Sequence, residues 1–211
     1  GVEAEKGPAN MFEELESIAI DYFELNGFLA RKGTGVVPGA ASTEMPWLIV
    51  RNLKEEQIEE SLLLNFQWFS SDVVRTRRAV VCIIGASLFE RTSRSLKQDK
   101  RVYQALKKEV SGKQSPLFPW EINALEPEIR RHRRLVLLPL LPSVEPHRGQ
   151  FQELLANRGT EGVITVRTLL DNMIQRLDEL DESRTTPRLR MLRILKHMEL
   201  LTLPQMDLFG S

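Results

Sequence analysis

The chain has 211 residues, 42% of them hydrophobic, and its 29 basic and 29 acidic side chains cancel. A chain of this length can bury roughly 70% of its unfolded surface, so it needs neither a disulfide nor a structural metal. Cys82 is the only cysteine and the three histidines lack zinc-ligand spacing. These features argue against a zinc site and favour a reducing, cytoplasmic location. No apolar run approaches the roughly 20 residues of a membrane span, so we expect no membrane partner.

The first third of the chain predicts a helix followed by strands. Asn10 and Glu13 form a capping-box pattern ahead of apolar residues at helical spacing, and Asn26-Gly27 supplies a helix stop. We interpret residues 1–10 as a disordered lead-in. The predicted elements that follow are a helix at 11–25, strands at 28–32 and 47–51, and a short helix at 54–64.

The central strand gives the strongest single pattern. Residues 79–85 (AVVCIIG) are apolar at every position, rich in β-branched side chains and closed by glycine. This pattern is typical of a strand that is covered on both faces, and Gly85-Ala86-Ser87 is best interpreted as a simple strand-to-helix turn. The later predicted elements are a helix at 97–110, a strand at 134–141, a helix at 150–157, a strand at 162–166, a helix at 168–180 capped by Thr168, and a last helix beginning with Thr186-Pro187.

This order predicts an α/β fold with a mixed, mostly parallel central sheet flanked by helices. The first two strands are candidates for an antiparallel hairpin. We assign residues 11–180 to the core and residues 181–211 to a C-terminal helix and tail that pack on it. The last two helices form a C-terminal helical pair with apolar stripes, for which packing on the sheet is favoured over a homodimer face.

The charge is unevenly distributed along the chain. Residues 1–70 carry a net charge of −7, residues 71–134 carry +8 and residues 135–211 carry −1. Clustered guanidinium groups suit phosphate contacts because their forks bind two oxygens at once, so nucleic acid is a candidate partner. The alternative is a solvated face that pairs with the acidic first third. The candidate nucleic-acid-binding residues are Arg75, Arg77, Arg78, Arg91, Arg94, Lys97 and Arg101.

The arrangement resembles the PD-(D/E)xK, or restriction-endonuclease-like, superfamily over roughly residues 11–180. The resemblance rests on a capped helix leading into a strand (FELNGFLARKG), the buried strand AVVCIIGAS, and a helix followed by the strand RRLVLLPLLP. Asp72 stands ten residues before Cys82, a separation that the two halves of the family motif can have. The segment FQELLANRGTEGVITVRTLLDNMI looks like a trailing helix–strand–helix attached to such a core.

The resemblance implies a Mg²⁺ site formed by an aspartate and an E-x-K triplet. Asp72 matches the aspartate, although with Ser70 and Ser71 it can also form a simple turn. Cys82 falls at the acidic position and Ile84 at the lysine position, and neither side chain can do the chemistry. The expected protein is therefore a degenerate nuclease fold with no metal or cofactor.

Three hypotheses about function follow. The leading one is a nuclease-like fold that binds nucleic acid but does not cleave it. The second is a non-catalytic interaction or assembly module, with a homodimer through the C-terminal helices. The third is an active Mg²⁺-dependent nuclease that uses relocated carboxylates, for which Glu44, Glu90 and Asp99 are candidates. Because the chain begins at Gly1 rather than Met, we interpret Gly1 as a truncated start, and removal of an earlier segment stays open.

Overall fold

The computed structural model describes residues 11–33, 47–59, 65–112, 117, 131–181, 183 and 185–201, and the predictions for the lead-in and for Glu44 lie outside these residues. The five strands are β1 (Phe28–Lys32), β2 (Trp47–Asn52), β3 (Arg78–Ile83), β4 (Arg133–Leu138) and β5 (Gly162–Thr165). The helices are α1 (Met11–Leu25), α2 (Ser70–Val73), α3 (Ser93–Leu96), α4 (Asp99–Gly112), α5 (His147–Asn157), α6 (Val166–Arg176) and α7 (Pro187–His197).

The strands form one mixed sheet in the order β1-β2-β3-β4-β5. β2 pairs antiparallel with both β1 and β3, whereas β3, β4 and β5 are mutually parallel, so four of the five strands run in one direction. The predicted α/β class, the mixed sheet and the β1–β2 hairpin are therefore confirmed. No helix in the described part of the chain is long and apolar enough to cross a membrane.

The sheet is covered on both faces, as the apolar pattern of β3 predicts. On one face, Ala79, Val81 and Ile83 pack in a cluster with buried residues of α1 and α6. On the other face, Val80 and Cys82 pack in a second cluster with buried residues of α4 and α5. Because each fully buried aliphatic side chain contributes about 1.5–3 kcal/mol, the two clusters supply most of the driving force for folding.

Local signals account for the end of α1 and for the start of α7. α1 stops at Asn26-Gly27, where Gly27 has a φ of 82° and the Asn26 amide donates to the carbonyl of Tyr22 at 2.8 Å. α7 begins at the predicted Thr186-Pro187, with the Thr186 hydroxyl accepting from the N–H of Leu189. These ends were predictable because a cap depends on residues within one helical turn.

Two helix predictions are wrong in detail. The predicted helix at 54–64 is only a 3₁₀ turn at Glu55–Gln57 within the described residues, because the Glu55 side chain pairs with arginines of β2 and β3. The helix predicted to start after Thr168 starts at Val166 instead. Thr165, the last residue of β5, is its cap and accepts from the N–H of Thr168.

Two tryptophan side chains and the single thiol are buried in the structure. Trp47 and Trp68 are 2% and 1% exposed, and Cys82 is buried at 1%. Trp120 lies outside the described residues. Trp68 packs directly over Gly162, where an added Cβ would lie 2.2 Å from the indole nitrogen. The glycine is therefore required by the close approach of this ring to β5.

Candidate functional site

The carboxyl end of β3 and the residue that follows it are the place where the family resemblance expects an acidic residue and a lysine. Cys82 and Ile84 are each 1% exposed and belong to the cluster under α4 and α5. Cys82 lies opposite Trp47 on β2 and opposite Val136 on β4. Mg²⁺ prefers oxygen ligands, so this thiol among aliphatic and aromatic side chains does not fit the ion.

Asp72 lies on α2, away from Cys82. Its Oδ2 accepts from the backbone N–H of Phe69 at 2.8 Å, as in a local turn. The adjacent Val73 belongs to the cluster under α1 and α6, on the face of the sheet opposite to Cys82. The structure therefore does not bring together the two halves of the expected motif.

The neighbourhood of Asp72 is a packed structural contact. The Tyr22 hydroxyl donates to Ser70 Oγ at 2.9 Å, and Ser70 begins the short helix that contains Asp72. Burial raises the pKa of Tyr22 to about 12, with Asp72 adding to the shift and Ser70 opposing it. The phenol is therefore a neutral hydrogen-bond donor near neutral pH, and it fixes α2 against α1.

The first group of candidate arginines lies at the amino end of β3. Arg78 donates to both oxygens of Glu55 at 2.7 and 3.0 Å, and Arg51 donates to the same carboxylate at 2.9 Å. The hydrogen bond from Arg78, helped by Arg51, lowers the pKa of Glu55 to about 2. Arg77 donates to the carbonyl of Ile58 at 2.8 Å, and Arg75 is exposed.

The second group lies beyond the carboxyl end of β3, which is about 20 Å long at roughly 3.3 Å per residue. The chain leaves β3 through Gly85, forms a 3₁₀ turn at Ala86–Glu90, and continues into α3 and α4. The exposed cations in this segment are Arg91, Arg94, Lys97, Lys100 and Arg101. We call these five residues the α3–α4 basic surface. The predicted basic groove is thus divided between two ends of the sheet.

Gly85 sets the direction in which the chain leaves the sheet. Its φ of 77° lies in the left-handed region, and its N–H donates to Glu109 Oε2 at 2.9 Å. An added Cβ would lie 2.9 Å from Leu106 and 3.0 Å from Pro139. Glycine is therefore required here both by backbone conformation and by space.

Asp99 connects the start of α4 to the loop that follows β4. Its carboxylate accepts from both the N–H and the hydroxyl of Ser143, and lies 3.0 Å from His147 Nδ1. The His147 ring stacks on Tyr103 with a centroid separation of 5.1 Å. Burial acts to raise the pKa of Asp99, but the hydrogen bonds from Ser143 and His147 outweigh it, so the pKa lies below its usual value.

This connection bears on the carboxylates proposed for a relocated metal site. The Asp99 carboxylate already accepts hydrogen bonds that connect the start of α4 to the loop after β4. Glu90 ends the 3₁₀ turn as an exposed side chain. No group of three or more metal-ligating side chains converges within the part of the chain that the structure describes. Sequence reasoning missed the roles of Ser143 and His147 because each is more than 40 residues from Asp99.

No protein-family model, curated protein or solved structure matches the chain. The geometry therefore carries the functional argument alone. The structure places five exposed cations on the segment that follows the carboxyl end of β3, and the carboxyl ends of parallel strands are the position at which open α/β sheets bind their ligands.

Proposed function

We propose that this chain is a catalytically degenerate protein of the PD-(D/E)xK type that binds nucleic acid through the α3–α4 basic surface without cleaving it. The observation that carries the proposal is the combination of apolar side chains at the motif positions Cys82 and Ile84 with exposed cations in the segment that follows β3. The apolar side chains at the motif positions provide neither the metal ligands nor the lysine that hydrolysis needs. The exposed cations provide the positive charge that contacts phosphates.

The order of elements supports the family part of the proposal. The chain runs helix, three antiparallel strands, helix and parallel strand, followed by a helix, a strand and a helix. This is the order in which the resemblance arranges its four segments. Trp47 opposite Cys82 explains how such a fold tolerates the loss of its acidic residue, because the indole fills the space beside the thiol and donates to the carbonyl of Leu117 at 2.9 Å.

Charge neutralisation selects the α3–α4 basic surface over the amino end of β3. Arg78 and Arg51 share Glu55, and Arg133 and Arg134 share Glu161 at 3.2 and 3.1 Å. An arginine that already holds a carboxylate has to lose that partner before it binds phosphate. The α3–α4 cations are exposed and dense along a short stretch, which suits contacts to successive phosphates.

The proposal is tested by fluorescence anisotropy with labelled 20-nucleotide single-stranded DNA, duplex DNA and RNA. If about four cations contact phosphates, affinity falls about 100-fold between 50 and 200 mM salt. The triple variant Arg91→Glu, Arg94→Glu, Lys97→Glu abolishes binding, whereas the control Arg75→Glu, at the other end of β3, leaves it unchanged. Binding that is absent at low salt, or that survives the triple variant, contradicts the proposal.

Catalysis is tested separately with the same nucleic acids and either Mg²⁺ or Mn²⁺. We expect no cleavage. Cleavage abolished by Asp99→Ala or Glu90→Ala would establish relocated carboxylates, and cleavage abolished by Asp72→Ala would restore Asp72 as a catalytic residue. Either result replaces the degenerate nuclease with an active one.

The second candidate, an assembly module, is favoured by the outer face of α7. Met191, Ile194 and Met198 follow each other at helical spacing and are 57%, 53% and 63% exposed. Leu189 and Leu192 pack inward on the core, so this stripe is additional to the packed face. A homodimer detected by light scattering and lost in Ile194→Asp supports this function. Leu192→Asp is a poorer test because it disrupts the core.

A further inference from the structure

A concave surface lies at the C-terminal end of α1 and shares no lining residue with the α3–α4 basic surface. It has a volume of about 620 Å³ and is bounded by α1, β1, the 3₁₀ turn Leu177–Glu179 and the start of α7. A neighbouring cavity of about 480 Å³ shares Leu25, Leu53 and Arg176 with it. We call the two together the α1 groove. Both volumes fall in the roughly 300–1,000 Å³ range of ligand pockets.

Apolar side chains form much of the wall of the α1 groove. Leu25, Phe28 and Leu180 line it from within, and Leu29 and Leu53 stand at its rim. Leu29 is 57% exposed and Leu53 is 71% exposed. Large aliphatic side chains beside a cavity favour a ligand that itself carries apolar groups.

The charged residues of the α1 groove leave an excess of carboxylates. Asp21 is 4% exposed and is compensated by Arg188, whose Nε donates to it at 2.8 Å. Arg176 is compensated by Glu179, at 3.2 Å. Among the described residues of the larger cavity, the charged side chains that remain after these two pairs are Glu24 and Asp181, both exposed carboxylates; the smaller cavity adds the exposed Lys54, which leaves one carboxylate in excess. The ligand that complements this wall is cationic.

Arg176, which lines both cavities of the α1 groove, is held in place by contacts to the end of α1. Its Nη1 donates to the carbonyl of Leu25 at 2.9 Å and to Asn26 Oδ1 at 3.1 Å. Its guanidinium thereby provides a hydrogen-bond donor for the last carbonyl group of α1, and its charge is balanced by Glu179. A cationic ligand therefore meets Glu24 and Asp181 without competing with a loose arginine.

We propose that the α1 groove binds a short segment of a partner protein that carries lysine or arginine next to aliphatic side chains. Charge complementarity favours a separate molecule over the parts of this chain outside the described residues. Residues 1–10, 34–46, 60–64 and 202–211 each carry a net charge of −1, and residues 118–130 carry −2. The positive exceptions are residues 113–116 (KQSP) and the single residue Arg184, and neither combines a cation with the aliphatic side chains that the groove favours.

The test is a selection of 12-residue peptides from a random display library against the full chain, followed by anisotropy with the enriched peptides. We expect enrichment of Lys or Arg beside Leu, Ile, Met or Phe. The variant Glu24→Lys, Asp181→Lys weakens the enriched peptides by about tenfold or more, and Leu53→Ser weakens them separately. The matched control, Glu90→Lys, Glu153→Lys, changes two exposed carboxylates elsewhere and leaves affinity unchanged.

Three results overturn this inference: no enrichment of basic residues, equal affinity for the groove variant and its control, or a self-association of the chain that only the groove variant abolishes. The last result makes a second copy the occupant. Nucleic-acid affinity measured on the groove variant stays at the level of the unmodified chain, so this inference and the proposed function fail independently.

Discussion

The two ends of β3 carry similar arginines in different surroundings. At the amino end, Arg78 shares the carboxylate of Glu55 with Arg51 and ties the 3₁₀ turn to the sheet. At the carboxyl end, Arg91, Arg94 and Arg101 are exposed on a segment that leaves the sheet through a glycine turn. Arg78 therefore stabilises the fold at the amino end through its ion pair, whereas the arginines at the carboxyl end are exposed on a segment that also carries Glu90 and Asp99, and they are the candidates for a ligand.

The largest loss of stability is expected for a substitution in the turn that leads from β3 to the α3–α4 basic surface. Gly85→Val forces a β-branched residue to a φ of 77° and places its Cβ against Leu106 and Pro139, which we expect to cost about 3–4 kcal/mol of unfolding free energy. Urea denaturation followed by circular dichroism measures this.

Gly27→Ala is the matched control for Gly85→Val. Gly27 has a similar φ of 82°, but an added Cβ meets nothing within 4 Å. We expect a loss of only about 1 kcal/mol, the cost of the backbone alone. Equal losses at the two glycines would show that packing at the carboxyl end of β3 contributes nothing.

The next largest loss of stability is expected at Arg78, which holds a carboxylate, in comparison with Arg91, which is exposed. Arg78→Met leaves Glu55 with Arg51 as its remaining cation and removes two hydrogen bonds, so we expect a loss of about 1 kcal/mol. Arg91→Met on the exposed segment changes stability by less than about 0.5 kcal/mol. In the nucleic-acid assay the order is reversed: Arg91→Met weakens binding and Arg78→Met does not. Loss of binding in Arg78→Met without loss of stability contradicts the comparison.

A smaller effect is the pH dependence of the unfolding free energy that Glu55 produces at the amino end of β3. The folded-state pKa of Glu55 is about 2, below the unfolded value of 4.5. Its contribution to stability is therefore complete above about pH 4.5 and is lost as the pH falls toward 2. Unfolding free energies measured between pH 6 and pH 3 should decline less steeply in Arg78→Met than in the unmodified chain. Parallel curves would show that Arg78 does not hold the carboxylate.

The smallest expected effect concerns Asp99 at the carboxyl end. Its pKa is also lowered in the folded chain, so its contribution is present at neutral pH and is lost in acid. Asp99→Asn keeps the shape but weakens acceptance from Ser143 and His147. We expect a slight loss of stability at pH 7 that disappears in acid, once the native carboxyl group is itself protonated. A loss of equal size at both pH values would indicate that geometry, not charge, is what Asp99 supplies.

The sequence by itself determined the positions of the five strands, the bounds of α1, the end of α5 and the start of α7. β1 was predicted with its observed bounds, and β3 was predicted within two residues at its carboxyl end. Apolar alternation, a run covered on both faces, and caps such as Thr186 are encoded within a few neighbouring residues. They can therefore be read without knowing what the chain packs against. The dependence of these signals on near neighbours also explains the errors at 54–64 and at Thr168. At 54–64 the Glu55 side chain pairs with arginines on two strands, and at Thr168 the cap is instead Thr165, the last residue of the preceding strand.

Only the tertiary structure decided which residues share a surface. The register of β2 against β3 puts Trp47 opposite Cys82, and the length of β3 separates two arginine groups that the sequence places in one basic segment. The groove at the end of α1 likewise combines Glu24, Leu53 and Asp181 from three distant parts of the chain. No local pattern encodes these arrangements, because they depend on how the two packed faces of the sheet bring remote segments together.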